Sequence, residues 1–199
     1  IRAPSNGSIQ IGGRHVTPEM PATPSEIKSL GIAHVPEDRH STGLILPFTA
    51  AETIILGYED KMAGRTAGWL DPEELDEHCA GLMQDFDVRP PDPSLKSSLF
   101  SGGNQQKIVL AREMSAVPSI LLVGQATRGV DIGAIEFIHK QLIAMRNKGC
   151  AIILVSVELD EILTLSDRIM VMNNGSSMGI IDRSEADARA IGLLMAGVG

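Results

Sequence analysis

Leu99-Phe100-Ser101-Gly102-Gly103-Asn104-Gln105-Gln106-Lys107 decides how this chain is read. Two glycines stand directly before a polar helix start that runs on as Ile108-Val109-Leu110-Ala111-Arg112-Glu113-Met114. Glycine loses the most backbone entropy on ordering, so Ser-Gly-Gly is poor material inside a helix or strand. At the mouth of a helix the same residues are useful. Ser101 brings a hydroxyl, the glycines let a ligand approach the backbone, and the first helical N–H groups lack intrahelical partners. The summed peptide dipoles place roughly half a positive elementary charge at that end. Such a mouth suits an anion, phosphate above all.

Outward from this run, composition sets the frame. The chain has 199 residues, 43% of them apolar, enough for one domain, or a domain and a small subdomain, with a real core. No apolar run approaches the about 20 residues needed to span a bilayer, and Ile1-Arg2-Ala3-Pro4 has no apolar leader character. The net charge of −8 argues against nucleic acid as a main partner. Cys79 and Cys150 are far apart among apolar neighbours and read as buried free thiols. The five histidines form no metal cluster by spacing, and His139 reads as structural.

Upstream, Ser8-Ile9-Gln10-Ile11 and Arg14-His15-Val16 flank Gly12-Gly13, which predicts a hairpin. A short helix opens at Pro24 and ends near Gly31. Ile32-Ala33-His34-Val35 predicts a buried strand, followed by the charged loop Pro36-Glu37-Asp38-Arg39. That loop is either a solvated turn or the ligand-facing edge of an open α/β sheet. Asp71-Pro72-Glu73-Glu74 is a helix start, with Leu75, Leu82, Met83 and Phe86 on one face. Residues 50–99 therefore read as a helical subdomain that presents Ser101 at its edge.

Downstream, Ser119–Val123 and Ala151–Val155 predict two fully buried strands, joined by a helix from Gly133 to about Lys148 with Ile135, Ile138, Leu142 and Met145 in a stripe. Asp131 is placed to cap that helix. Ser156 is expected to cap the next one. Arg168–Met172, Asn173-Asn174-Gly175 and Met178–Ile181 predict a last hairpin, and Ser184–Met195 a helical tail.

Phe100 to Lys107 closely resembles the signature motif of ABC-type ATPases, in the form used by importers of simple sugars and nucleosides. Thr127-Arg128-Gly129-Val130-Asp131 to His139 resembles the second half of nucleoside importers. The fold implied is α/β, an ABC-type P-loop NTPase core with an N-terminal antiparallel part and an inserted helical subdomain. The resemblance puts Glu37 at the Q-loop position and Asp131 at the D-loop aspartate of the dimer seam, beside its reading as a helix cap. It puts Ser101, Gly102, Gly103 and Asn104 against nucleotide. The implied cofactors are ATP and Mg²⁺. The implied partners are an N-terminal nucleotide-binding domain of the same polypeptide, transmembrane permease subunits and, indirectly, a solute-binding protein. The implied location is the cytoplasmic face of the membrane.

Several family groups are absent. None of the six lysines follows a Gly-x-x-x-x-Gly pattern, so the chain reads as a second nucleotide-binding domain cut just past its P-loop, with residues 1–199 a partial domain. Gly124 stands where the family has its metal-holding aspartate, removing that carboxylate ligand. Gln125 stands at the catalytic glutamate, and an amide is a poor base. Val157 stands at the switch histidine. Two readings follow. In one, the chain supplies its signature motif in trans to a catalytic site on the partner domain while its own site is degenerate. In the other, it is an inactive pseudo-ATPase scaffold that docks membrane subunits near Glu37 and the helical subdomain. The isolated chain is expected to bind ATP weakly or not at all.

Overall fold

A computed structural model describes residues 5–59 and 71–197. Ile1-Arg2-Ala3-Pro4, read above as without apolar leader character, lies outside them. The described chain divides into two compact units, Ile1–Ile153 and Leu154–Gly199.

The first unit opens with β1 (Ile9–Ile11) and β2 (Arg14–Val16), paired antiparallel with Ile9 opposite Val16. Gly12 and Gly13 both take positive φ, as a two-residue turn between twisted strands requires. Helix α1 (Pro24–Ser29) starts from a Thr23–Glu26 capping box. Strand β3 (Ile32–Val35) then runs parallel to β4 (Ile120–Gly124), with Ile32 opposite Ile120 and Val35 opposite Val123. A π-helical turn, Arg39–Gly43, follows β3, its start capped by the Asp38 carboxylate.

Helix α2 (Ala50–Ile55) carries a second capping box, Thr49–Glu52. Helix α3 (Pro72–Asp85) begins on the Asp71 cap and buries Cys79 and Met83. Burial pushes the Cys79 thiol up to about 12, with the nearby Asp76 charge adding to it. Both α2 and α3 pack on α4 (Gly102–Ser115), the axis of the unit. Helix α5 (Ile132–Asn147) lies against α4 and buries Ala134, Ile138, Leu142 and Met145.

Three expectations need correction here. The two glycines are the first residues of α4 rather than a lead into it, because Ser101 already has the extended backbone of a cap. Strand β5 (Ala151–Val155) joins the sheet next to β4 but is not buried: Ile153 and Val155 are 58% and 61% exposed. Among the described residues it ends a sheet ordered β3-β4-β5 and so has one strand neighbour, with Ile152 and Leu154 half covered. Ser156 does not cap the following helix. Its hydroxyl accepts from the N–H of Glu158, the residue directly before α6 (Leu159–Leu165), and that helix starts without a side-chain cap.

The second unit holds α6, the hairpin β6 (Arg168–Asn173) and β7 (Ser176–Asp182), and α7 (Ala188–Met195). Asn174 and Gly175 supply the positive φ of the turn. The tail helix begins at Ala188 rather than Ser184, because Asp187 caps it by accepting from Ala190 N. Ile169, Val171, Ala186 and Ile191 form this unit's small core.

Candidate functional site

The mouth of α4 is built from its cap. Ser101 is exposed, and its Oγ accepts from Asn104 N at 3.4 Å and from Asn104 Nδ2 at 3.0 Å. The Asn104 carbonyl oxygen in turn accepts from Arg89 N at 2.9 Å, so this side chain braces the mouth against the loop after α3. Behind the mouth the helix is buried almost all round, from Gln105 to Met114. An exposed N-terminus on a 14-residue buried helix gives its free N–H groups one direction in which to find an acceptor.

The glycines admit the protein's own groups. A Cβ at Gly102 would stand 2.7 Å from Arg39 Nη2 and 3.4 Å from the Gly129 carbonyl oxygen. One at Gly103 would stand 3.0 Å from Asp131 Oδ2 and 3.3 Å from Ala134 Cβ. The mouth of α4 thus touches the start of α5. There Asp131 is the N-cap, its Oδ1 accepting from Ala134 N at 2.9 Å. Asp131 is therefore a helix cap, one of its two readings, and its other carboxylate oxygen lies beside Gly103. Two large aliphatics close to these caps in the chain are uncovered: Leu99, two residues before Ser101, is 70% exposed, and Ile132, the first residue of α5, is 77% exposed.

Glu37 reaches this region through an ion pair. Its Oε1 lies 3.2 Å from Arg128 Nη1, both side chains well exposed, so the pair is worth under about 1 kcal/mol. Gln125 opens the turn that carries Arg128. Its carbonyl accepts from Arg128 N at 3.0 Å and its φ is +47°. A non-glycine residue in that region carries a cost of order 1 kcal/mol. The backbone of Glu37 also presses on position 124, where a Cβ would sit 3.2 Å from Glu37 N. Val157 belongs to the second unit and is 71% exposed.

These groups do not make a Mg²⁺ site. Position 124 has no side chain, the Glu37 carboxylate is engaged by Arg128, and among the described residues no group of three or more His, Cys, Asp or Glu stands together. The mouth fits an anion; the Gly124–Gln125 edge does not fit a cation.

Sequence reading missed four contributors: Arg39 as a mouth residue, His40, Gln105 and Arg128. Gln105 Oε1 accepts from His40 Nε2 at 2.8 Å and from Arg39 Nε at 3.5 Å, while its Nε2 donates to the Ser97 carbonyl at 3.1 Å. These partners lie 65 and 66 residues away, and no local pattern signals such pairings. A second hidden group sits at the other end of α4. Arg112 and Glu113 pair at 2.8 Å, both almost wholly buried. Glu113 also accepts from Tyr58 Oη at 2.8 Å and His34 N at 3.3 Å, and Arg112 donates to the Gly43 carbonyl at 2.8 Å. Burial, with the Glu113 charge behind it, raises the Tyr58 phenol; burial lowers the His34 imidazole.

No family model matches the chain. It is 43% identical over 192 residues to the nucleoside import ATP-binding protein NupA of Lactococcus lactis subsp. cremoris, covering 96% of this chain and 37% of that protein. It is 40% identical over 197 residues to the guanosine import ATP-binding protein NupO of Bacillus subtilis, covering 99% of this chain and 38% of that protein. A third relative, the ribose import ATP-binding protein RbsA 2 of Rubrobacter xylanophilus, is 36% identical and is spanned to 37% of its length. The chain thus spans well under half the length of the curated relatives it matches. The fold superposes on the dimeric post-hydrolysis structure of the ATP-binding cassette MJ0796 bound to ADP and Pi with a TM-score of 0.74 at 19% identity, over 92% of this chain and 75% of that one. The ADP conformation of the cassette MJ1267 superposes with a TM-score of 0.69 at 16% identity, over 96% and 74%. The chain is therefore a relative of the ATP-binding proteins of nucleoside and sugar ABC importers, and it folds as an ATP-binding cassette.

Proposed function

We propose that this chain is part of a second, C-terminal nucleotide-binding domain in the ATP-binding component of an ABC importer for nucleosides or sugars. It lends its Ser101–Gly103 mouth in trans to nucleotide gripped by a partner domain of the same polypeptide. Hydrolysis takes place on the partner, and the chain's own site is chemically degenerate. The observation that carries this reading is the exposed Ser101 cap on an otherwise buried helix, flanked by the exposed Leu99 and Ile132. A polar, positively polarised mouth whose neighbouring segments each carry an uncovered aliphatic suits a protein partner that brings an anion with it.

The degenerate side of the proposal rests on Gly124, Gln125 and Val157, which supply no carboxylate for a metal, no general base and no polar contact to a terminal phosphate. The dimeric cassette to which the fold is similar supports a seam between two such domains. Transmembrane permease subunits, a solute-binding protein and a place on the cytoplasmic face of the membrane go with this assignment.

ATP hydrolysis by the complete polypeptide tests it. Ser101→Arg fills the mouth with a long cation and is expected to abolish most turnover while leaving ATP binding at the partner domain in place. Undiminished hydrolysis by Ser101→Arg would overturn the proposal and favour a scaffold without a nucleotide role.

A further inference from the structure

We propose that Arg39 is a positioning residue for the Ser101 mouth, an inference that rests on the reading in trans given above. Its half-buried guanidinium ties three segments that are remote in sequence. Nε donates to Gln105 Oε1 at 3.5 Å, on the first turn of α4. Nη1 donates to the Arg128 carbonyl at 3.3 Å, in the turn between β4 and α5. Nη2 lies against Gly102, 2.7 Å from where any side chain there would begin. Arg39 itself opens the π-helical turn after β3.

That turn is fastened to α4 at both of its ends. Arg39 and His40 hold Gln105 at one end, and the Gly43 carbonyl accepts from the buried Arg112 at the other. Residues 105 and 112 are seven apart, about 10 Å along a helix. A turn pinned over that length moves with α4 as one body. The guanidinium fork then sets the distance between the mouth and residues 128–129. A planar fork with fixed N–H directions meets two acceptors at once, which a single ammonium at the end of a flexible stem does not. A mouth that must meet nucleotide across a seam needs such fixing, because misplacement by about 1 Å lowers rates as much as 10²-fold.

The test is steady-state ATP hydrolysis and thermal melting of the complete polypeptide, with Arg39→Ala, Arg39→Lys, Gln105→Ala and the Arg39→Ala/Gln105→Ala pair beside Ser101→Arg. Arg39→Ala is expected to lower kcat about tenfold with KM for ATP and the melting temperature nearly unchanged, since the loss falls on closure and not on binding or folding. Arg39→Lys is expected not to restore kcat. Removing Arg39 from the Gln105→Ala protein is expected to cost less than removing it from wild type, because the two side chains act as one clasp. The inference is overturned by a wild-type kcat in Arg39→Ala, by full rescue with lysine, by strictly independent effects of the two alanines, or by a kcat loss matched by a fall in melting temperature. Where Ser101→Arg is inactive and Arg39→Ala is not, only the role of Arg39 fails. Where Ser101→Arg retains full turnover, the reading in trans fails and takes this inference with it.

Discussion

Serine, aspartate and asparagine cap helices about equally well, so Ser101→Asp keeps an acceptor for Asn104 N while setting a carboxylate where phosphate oxygens would arrive. Its melting temperature is expected to stay close to wild type, and turnover of the complete polypeptide to fall by at least about tenfold, since two like charges a few ångströms apart oppose each other by several kcal/mol near a protein surface. An unchanged rate would make Ser101 a cap and nothing more. Glu113 offers the opposite case, a residue remote from the mouth with a large structural role. Glu113→Ala leaves Arg112 buried and unpaired and strips Tyr58 and His34 N of an acceptor. We expect about 3–5 kcal/mol of destabilisation, read from the urea midpoint. Asp87 gives a pH dependence. Lys107, and after it Arg89, hold its carboxyl below the ordinary carboxylate range. A depressed acid stabilises the fold above its unfolded pKa of about 3.9 and loses that contribution as pH falls through the folded value. Asp87→Asn is compatible with the local φ of +50°, and its stability deficit, under about 1 kcal/mol for so exposed a group, is expected to be constant above about pH 5 and to close below it. A deficit that persisted at pH 2 would place the effect elsewhere.

Among the elements, α4 was legible at its start and opaque along its length. Ser101-Gly102-Gly103 announces a helix mouth by chemistry alone. The body is buried on nearly every side, so its polar residues carry no amphipathic stripe; Gln105 and Lys107 find their partners in other segments, and the adjacent pair Arg112–Glu113 is held by the distant Gly43, Tyr58 and His34. The hairpins and the capped helices α1, α3 and α5 were readable because turn glycines and cap side chains act within a few residues of where they stand; the Thr49–Glu52 box of α2 went unread. The clasp of Arg39 and His40 on Gln105 was not, since it joins segments whose proximity the sheet decides. The contact between α4 and α5 is open to a direct test. In Gly103→Ala the new methyl group would meet Asp131 and Ala134 at 3.0 and 3.3 Å. That crowding is expected to cost about 1–3 kcal/mol, seen as a lower melting temperature, and to drop turnover further than stability alone explains. A melting temperature equal to wild type would show that the two helices are not held together there.

For the whole molecule, the chain is two units with a sheet that ends on an apolar strand. Ala151-Ile152-Ile153-Leu154-Val155 reads as a buried strand on composition, yet Ile153 and Val155 are exposed, and composition does not say which face of a strand other elements cover. An uncovered strand of this kind is a template for pairing with another chain. The purified chain is therefore expected to self-associate as its concentration rises, and Val155→Lys to reduce light scattering without changing the far-UV circular dichroism; equal scattering by the two would exonerate this edge. The crowding at Gly102 and Gly103 has a further meaning for descent. Selection for a sound interior favours both glycines even in a lineage that has abandoned nucleotide, because a larger residue at either position would have to displace the Arg39 or Asp131 side chain. The letter free to drift in such a lineage is Ser101, and a population of natural variants carrying aspartate there would mark the branches where the ancestral trade in phosphate has stopped.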